Sequence, residues 1–129
     1  MSYYFTKTLA GDFDEVINKV TAELKEEGFG VLTEIDIKAT LKKKLDVDFY
    51  NYRILGACNP SFAYKSLQVE DKIGTMLPCN VIVQERESGK IEVAAVDPTA
   101  SMQAIENPSL KEIAAEVRRK LRKAIDQLN

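Results

Sequence analysis

Residues 81–96 read VIVQERESGKIEVAAV, and this stretch does most to decide the fold. Two runs rich in β-branched residues, 81–85 and 91–96, flank a Glu-Ser-Gly-Lys segment that is typical of a tight turn. We therefore predict a β-hairpin here. It is the clearest strand pair in the sequence, and the other elements are placed relative to it.

The strongest periodic signal lies at the C-terminal end of the chain. Residues 97–106 read as a loop, after which Asn107-Pro108 joins a favoured N-cap residue to a favoured first helical residue. The apolar residues that follow recur at three- and four-residue spacing over about five helical turns. They are Leu110, Ile113, Ala114, Val117, Leu121, Ala124, Ile125 and Leu128. This amphipathic helix must pack on the sheet.

Three more strands are predicted upstream, over residues 3–9, 29–35 and 49–57, from their aromatic and β-branched content. Combined with the intervening helices, they give the element order β-α-β-α-β-α-β-β-α. This order predicts an α+β fold, a two-layer sandwich with a mixed sheet of about five strands and helices packed mainly on one face. No repeat or linker divides the chain, so we expect residues 1–129 to form a single domain.

The upstream helices have recognisable starts and stops. Asp12, followed three residues later by Glu15, resembles a capping box, and Asp36 can cap a short helix before the third strand. Asn59-Pro60 should open a helix that continues to Gly74.

Composition limits the functional classes. The 129 residues carry a formal net charge of −2 and contain no histidine. Catalysis by Ser-His-Asp or Cys-His and imidazole-ligated metal sites are therefore excluded. An acidic chain has no general attraction to nucleic acid, and the two basic runs, 42–44 and 118–123, read as solvated helix faces. Without a basic-then-apolar leader or a membrane-length apolar stretch, we expect a cytoplasmic protein with no membrane or nucleic-acid partner.

Five short motifs occur together in one order: Gly11-Asp12-Phe13-Asp14, Glu34-Ile35-Asp36, Ile54-Leu55-Gly56-Ala57-Cys58-Asn59-Pro60, Leu77-Pro78-Cys79-Asn80-Val81 and Val96-Asp97-Pro98. In this order they resemble a prokaryotic family known as domain of unknown function 302, over nearly the whole chain. The resemblance implies a compact two-layer α/β domain that is able to dimerise. It brings no settled activity and no catalytic residues.

Cys58 is the first candidate for chemistry, because the predicted cap places it just before a helix N-terminus. Unpaired amides and the helix dipole stabilise a thiolate at such a position. The simpler interpretation is a small structural cysteine at a strand end, since no base is present to activate the thiol.

Cys79 lies at the start of the fourth strand, and topology decides whether it meets Cys58. Parallel strands joined by a crossover would place the two thiols at opposite ends of the sheet, whereas antiparallel strands would place both at one edge. At one edge the two thiols can form a redox pair or bind a soft metal ion, but a metal would still need further ligands from Asp, Glu or Asn. We expect no metal site and no cofactor.

Polar residues beside the remaining motifs complete the candidate site. Glu34 and Asp36 lie two apart on a predicted strand and can act as paired carboxylates, or Asp36 can cap a helix while Glu34 faces solvent. Asn59, Asn80 and Asp97 each lie next to or near a proline and can line a cleft or serve as turn and cap residues.

Three functional hypotheses follow. The first is a module that binds a small molecule or a partner at a polar edge formed by Glu34, Asp36, Cys58, Asn59, Cys79, Asn80 and Asp97. The second is a thiol-dependent enzyme or redox protein that uses Cys58, with Cys79 as the other candidate. The third is a homodimeric interaction protein without a chemical site. The sequence leaves open whether the protein is an enzyme.

Overall fold

A computed structural model of the protein describes residues 2–129, with five strands, five α-helices and one 3-10 helix. The strands are β1 (Tyr4–Ala10), β2 (Gly30–Asp36), β3 (Asn51–Cys58), β4 (Cys79–Glu87) and β5 (Lys90–Val96). The helices are α1 (Phe13–Glu26), α2 (Ile37–Leu45), α3 (Pro60–Val69), α4 (Pro98–Ser101) and α5 (Pro108–Asp126), with the 3-10 helix at Ile73–Met76. The α+β class is confirmed, and the predicted elements occur along the chain in the predicted order, with α4 and the 3-10 helix in addition.

The strands form one sheet in the order β1-β5-β4-β3-β2. All four neighbouring pairs are antiparallel, so the expectation of a mixed sheet is corrected in this detail. The reason lies between β3 and β4, where Ala57 pairs with Cys79. The chain leaves β3 and returns to β4 at the same edge, so α3 is not a crossover between parallel strands.

Helix starts follow the capping chemistry of the sequence. The side chains of Asp12, Asp36, Asn59 and Asn107 each accept a hydrogen bond from the backbone N–H three residues later. Asp97 caps α4 with a shorter spacing, accepting a hydrogen bond from the backbone N–H of Thr99 two residues later. The expectation of a loop over residues 97–106 is therefore wrong at its start, where an Asp-Pro pair opens one helical turn.

The third helix is shorter than the sequence predicts. α3 ends at Val69. Gly74, where the sequence predicts the end of the helix, belongs to the separate 3-10 helix Ile73–Met76. Leu67 and Val69 are 44% and 40% exposed, so these apolar residues do not belong to one buried helix face.

One face of the sheet carries the hydrophobic core. Alternate residues along the strands point to this face, where they pack against α1 and α5. The fully buried strand residues of the core are Leu55, Ala57, Val81, Val83, Ile91, Val93 and Ala95. A smaller cluster beside it joins Ile73, Met102, Leu110 and Ala114.

The intervening residues point to the opposite face, which we call the open face. The register aligns Ala94 of β5 with Ile82 of β4, Ile54 of β3 and Ile35 of β2. An apolar row therefore crosses four neighbouring strands, and Ile35 at its end is 46% exposed. The helices within residues 2–129 include none with the length and hydropathy of a membrane-spanning segment.

Candidate functional site

The antiparallel pairing brings the two cysteines to one edge of the sheet. Cys58 is the last residue of β3 and Cys79 the first of β4, next to the cross-strand partner Ala57. Both cysteines are unbridged, with Cys79 buried and Cys58 half-buried. Of the two topologies that the sequence left open, the structure has the antiparallel one, which places both cysteines at the same edge of the sheet.

The cavity at this edge is too small for an organic ligand. Cys58, Asn59 and Cys79 line it together with apolar side chains such as Phe62 and Met102, and its volume is about 30 Å³. A space of this size holds roughly one or two water molecules. The Asn59 side chain already has hydrogen-bond partners, because its oxygen caps α3 and its amide N–H donates a hydrogen bond to the Glu27 carbonyl.

The electrostatics of the edge do not favour a reactive Cys79. Burial raises the pKa of its thiol to about 11, and the neighbouring Cys58 adds to this effect. A buried thiol away from cations stays protonated at neutral pH and is a poor nucleophile. Within residues 2–129, no three side chains of Asp, Glu or Cys converge in a way that could hold a metal ion.

Glu34 and Asp36 lie away from the cysteine edge. Along β2 they are aligned with Leu55 and Arg53 of β3, which places Asp36 about 17 Å from the end of that strand at Cys58. Arg53 pairs with both carboxylates, and its guanidinium lies over the Phe13 ring at 5.6 Å. Asp36 also caps α2, so both acids have structural partners at this end of β2.

The remaining two predicted site residues occupy separate places. Asp97 is 6% exposed and accepts hydrogen bonds from Thr99 and from Arg118 on α5. Asn80 points to the open face. The seven residues are therefore divided among the cysteine edge, the Arg53 cluster, the α4–α5 junction and the open face.

A larger hollow lies on the open face, and we call it the tyrosine groove. Its floor is formed by Ile82 and Ala94, at the centre of the sheet, and its walls include Tyr3, Tyr4 and Tyr52. The groove has a volume of about 490 Å³, which falls within the range of small-molecule sites.

The walls rise from strands on both sides of the floor. Tyr4 is the first residue of β1 and Tyr3 precedes it, and the two rings lie edge to face with their centres 4.9 Å apart. Tyr52 rises from β3, beside Phe49 and Tyr50, whose stacked rings are 4.1 Å apart. Strands β5 and β4 lie between the two walls and form the floor.

The pKa of the Tyr52 phenol is raised by its surroundings in the groove. Its pKa lies above the usual value, first because the phenol is partly buried and second because the hydroxyls of Tyr50 and Tyr3 are near. The Tyr52 hydroxyl therefore remains a neutral hydrogen-bond donor over the whole physiological pH range.

Polar side chains also line the tyrosine groove. They are Asn80, Gln84, Arg86 and Glu92. None of the four forms a side-chain hydrogen bond or an ion pair with another residue in the described part of the chain, 2–129. An apolar floor, aromatic walls and a few unpaired polar groups are the usual composition of a ligand site.

Of the residues that line this groove, only Asn80 is among the site residues predicted from the sequence. A signal was present in Tyr50 and Tyr52, which lie two apart and so share one face of the strand predicted over residues 49–57. The strands β4 and β5 carry apolar residues on both faces, which hides from the sequence that one face is open.

Comparison with known proteins places the chain in a family. A family model described as "Domain of unknown function DUF302" matches residues 5–128. The crystal structure of an uncharacterized conserved DUF302 protein from Bacillus stearothermophilus is similar, with 31% sequence identity, a TM-score of 0.91 and full coverage of both chains. No curated protein matches the chain. Because the family model spans nearly all of the sequence, this chain belongs to the DUF302 family.

Proposed function

We propose that this domain is a binding module that holds a small molecule with a flat apolar ring in the tyrosine groove. The observation that carries the proposal is the combination, in one hollow of about 490 Å³, of an apolar floor with tyrosine walls. Aromatic rings offer large contact areas at a small cost in conformational entropy. A ring that lies on Ile82 and Ala94 contacts the floor and both walls.

The cysteine edge supports binding less well than the groove does. Its cavity of about 30 Å³ admits no organic ligand, and Asn59 beside it is used as a cap. The alternative of a thiol-dependent enzyme or redox protein therefore depends on Cys58 alone. Alkylation of Cys58 no faster than that of a free cysteine would remove that alternative.

The experiment uses indole, a flat ring without charged groups, as the probe. Indole is titrated into the ¹⁵N-labelled protein while the backbone amide signals are followed by NMR. We expect the largest shifts at residues of β4 and β5 around Ile82 and Ala94. Absence of shifts up to the solubility limit of indole, or shifts confined to the cysteine edge, would contradict the proposal.

A matched pair of variants locates the site. Ala94→Phe places a ring on the floor of the groove, whereas Ala22→Phe adds the same ring to the exposed side of α1. We expect the first variant to abolish the indole shifts and the second to retain them. Equal binding by both variants would show that indole binds elsewhere.

A second candidate, a homodimer that buries the open face, is favoured by the apolar row of Ala94, Ile82, Ile54 and Ile35. Ile35 at the end of this row is 46% exposed and Ile54 and Ile82 are half-buried, and apolar surface left open to solvent is typical of protein interfaces. Sedimentation across protein concentrations tests it, with Ile35→Lys as the variant. A monomer at every concentration would exclude the homodimer, and a dimer that Ile35→Lys leaves intact would exclude this interface.

A further inference from the structure

Two unpaired charges of opposite sign lie in the tyrosine groove. Arg86 comes from β4 and Glu92 from β5, and both line the hollow. Within residues 2–129, neither forms an ion pair, whereas the neighbouring Lys90 is paired with Glu87 at 3.8 Å. The two charges therefore remain available to a ligand.

The strand register explains why the two charges line the same hollow. Glu92 is the cross-strand partner of Gln84, and the pairing of β4 with β5 shifts between Gln84 and Glu87. Such bulges redirect side chains. Arg86 lies in the shifted segment, with its guanidinium 5.9 Å from the centre of the Tyr50 ring. The same three residues, Gln84, Arg86 and Glu92, also line an adjoining hollow, so the charged end of the groove is open to further ligand atoms.

The charge pattern restricts the ligand. An anion bound to Arg86 meets the carboxylate of Glu92, and a cation bound to Glu92 meets the guanidinium of Arg86. A ligand that carries both an ammonium and a carboxylate satisfies both side chains with charge-assisted hydrogen bonds. Its ring then lies over Ile82 and Ala94, where the walls are aromatic.

We propose that the tyrosine groove binds a free aromatic α-amino acid, with its carboxylate on Arg86, its ammonium on Glu92 and its ring on the floor between the tyrosines. This inference rests on the proposed function, because it requires the groove to bind a ring. It adds the chemical class of the ligand.

The test compares four probes that share one ring. They are L-tryptophan, tryptamine, which lacks the carboxylate, indole-3-propionate, which lacks the ammonium, and indole. Affinities are measured by NMR titration of the ¹⁵N-labelled protein. We expect L-tryptophan to bind at least about tenfold more tightly than each of the other three, the factor that one good charged hydrogen bond provides.

Two variants separate the two charges. Glu92→Gln should weaken L-tryptophan and tryptamine but bind indole-3-propionate as tightly as wild type or more tightly, because the carboxylate that repels this probe is gone. Arg86→Gln should weaken L-tryptophan and indole-3-propionate but bind tryptamine as tightly as wild type or more tightly, for the same reason. Lys90→Gln, on the same rim, is the control and should change each affinity by less than about twofold, since exposed pairs contribute little.

The outcomes distinguish this inference from the proposed function. If all four probes bind with equal affinity and Ala94→Phe abolishes their binding, the groove binds rings and the amino-acid assignment is wrong. The same conclusion follows if either charge variant leaves L-tryptophan binding unchanged. If none of the probes binds, both proposals are wrong.

Discussion

The contact between Asp97 and Arg118 provides the most quantitative prediction about the fold. Asp97 joins the end of β5 to α4 and α5. Its carboxylate accepts hydrogen bonds from the Thr99 N–H at 3.0 Å, the Thr99 hydroxyl at 2.7 Å and Arg118 Nε at 3.0 Å. The Asp97 side chain is 9% exposed and that of Arg118 is 41% exposed, so water screens the pair only in part.

The expected loss of stability follows from these contacts. Asp97→Ala removes a helix cap, which contributes about 1 kcal/mol, and a charge-assisted hydrogen bond, which contributes about 1.5–3 kcal/mol. We therefore expect the free energy of unfolding to fall by about 2–4 kcal/mol. Asp97→Asn keeps the cap oxygen and removes the charge, so we expect a smaller loss of about 1–2 kcal/mol.

A double-mutant cycle isolates the pair. Arg118→Met keeps an apolar stem near Phe5, and together with Asp97→Asn it completes the cycle. Urea unfolding at pH 7, followed by circular dichroism, should give a coupling energy of about 1 kcal/mol or more. A coupling energy below about 0.5 kcal/mol would refute the reasoning, because independent sites add within that limit.

The pH dependence gives a second measurement on the same residue. Burial by itself raises the pKa of Asp97, but hydrogen bonds from Thr99 and Arg118 outweigh burial, and the pKa lies below its usual range. The ionised carboxylate therefore stabilises the fold above the unfolded pKa of about 3.9, and this contribution is lost as the pH falls through the lower folded value. Wild type and Asp97→Asn should converge in stability in acid, and a constant difference down to the lowest pH would contradict this.

Three further predictions concern single side chains. In a Cys58→Ser variant, we expect iodoacetamide to modify Cys79 at pH 8 more than about tenfold more slowly than it modifies a free cysteine. The reason is that a pKa of about 11 leaves little thiolate at this pH. A rate equal to that of a free cysteine would show that the Cys79 thiol is not buried. Gly56→Ala should lower the free energy of unfolding in urea by about 1–3 kcal/mol, because its Cβ would overlap the Thr33 hydroxyl. Adding Thr33→Ala should restore part of this loss. A Gly56→Ala variant as stable as wild type would contradict the packing. The difference in 295 nm absorbance titration between wild type and Tyr52→Phe should show a phenol that ionises above pH 10, with stability lost as the pH rises through that range, and a midpoint at or below about 10 would disagree.

Local features of the fold could be predicted because they depend on neighbouring residues. The caps at Asp12, Asp36, Asn59 and Asn107 were evident from side-chain chemistry alone, and each lies where the sequence indicated. The apolar stripe of α5 likewise needs only its own periodicity. Such signals are short in range, so one sequence is enough to interpret them.

The candidate site could not be predicted because it depends on strand order. Whether Cys58 meets Cys79 is decided by the direction of β4 relative to β3, and an intervening helix is compatible with either direction. The tyrosine groove depends on contacts between residues that are still farther apart in the sequence. Tyr3 and Tyr52 become its walls only because β5 and β4 lie between β1 and β3 in the sheet. Periodicity in a single strand carries no information on its neighbours.

The most direct test of the binding module is the position of a bound ring. Intermolecular nuclear Overhauser effects between the ring protons of indole and the methyl groups of the protein give this position. Cross-peaks to Ile82 and Ala94 are the predicted result. Cross-peaks to Met102 and Ile113 at the cysteine edge instead, with none to the open face, would contradict the account.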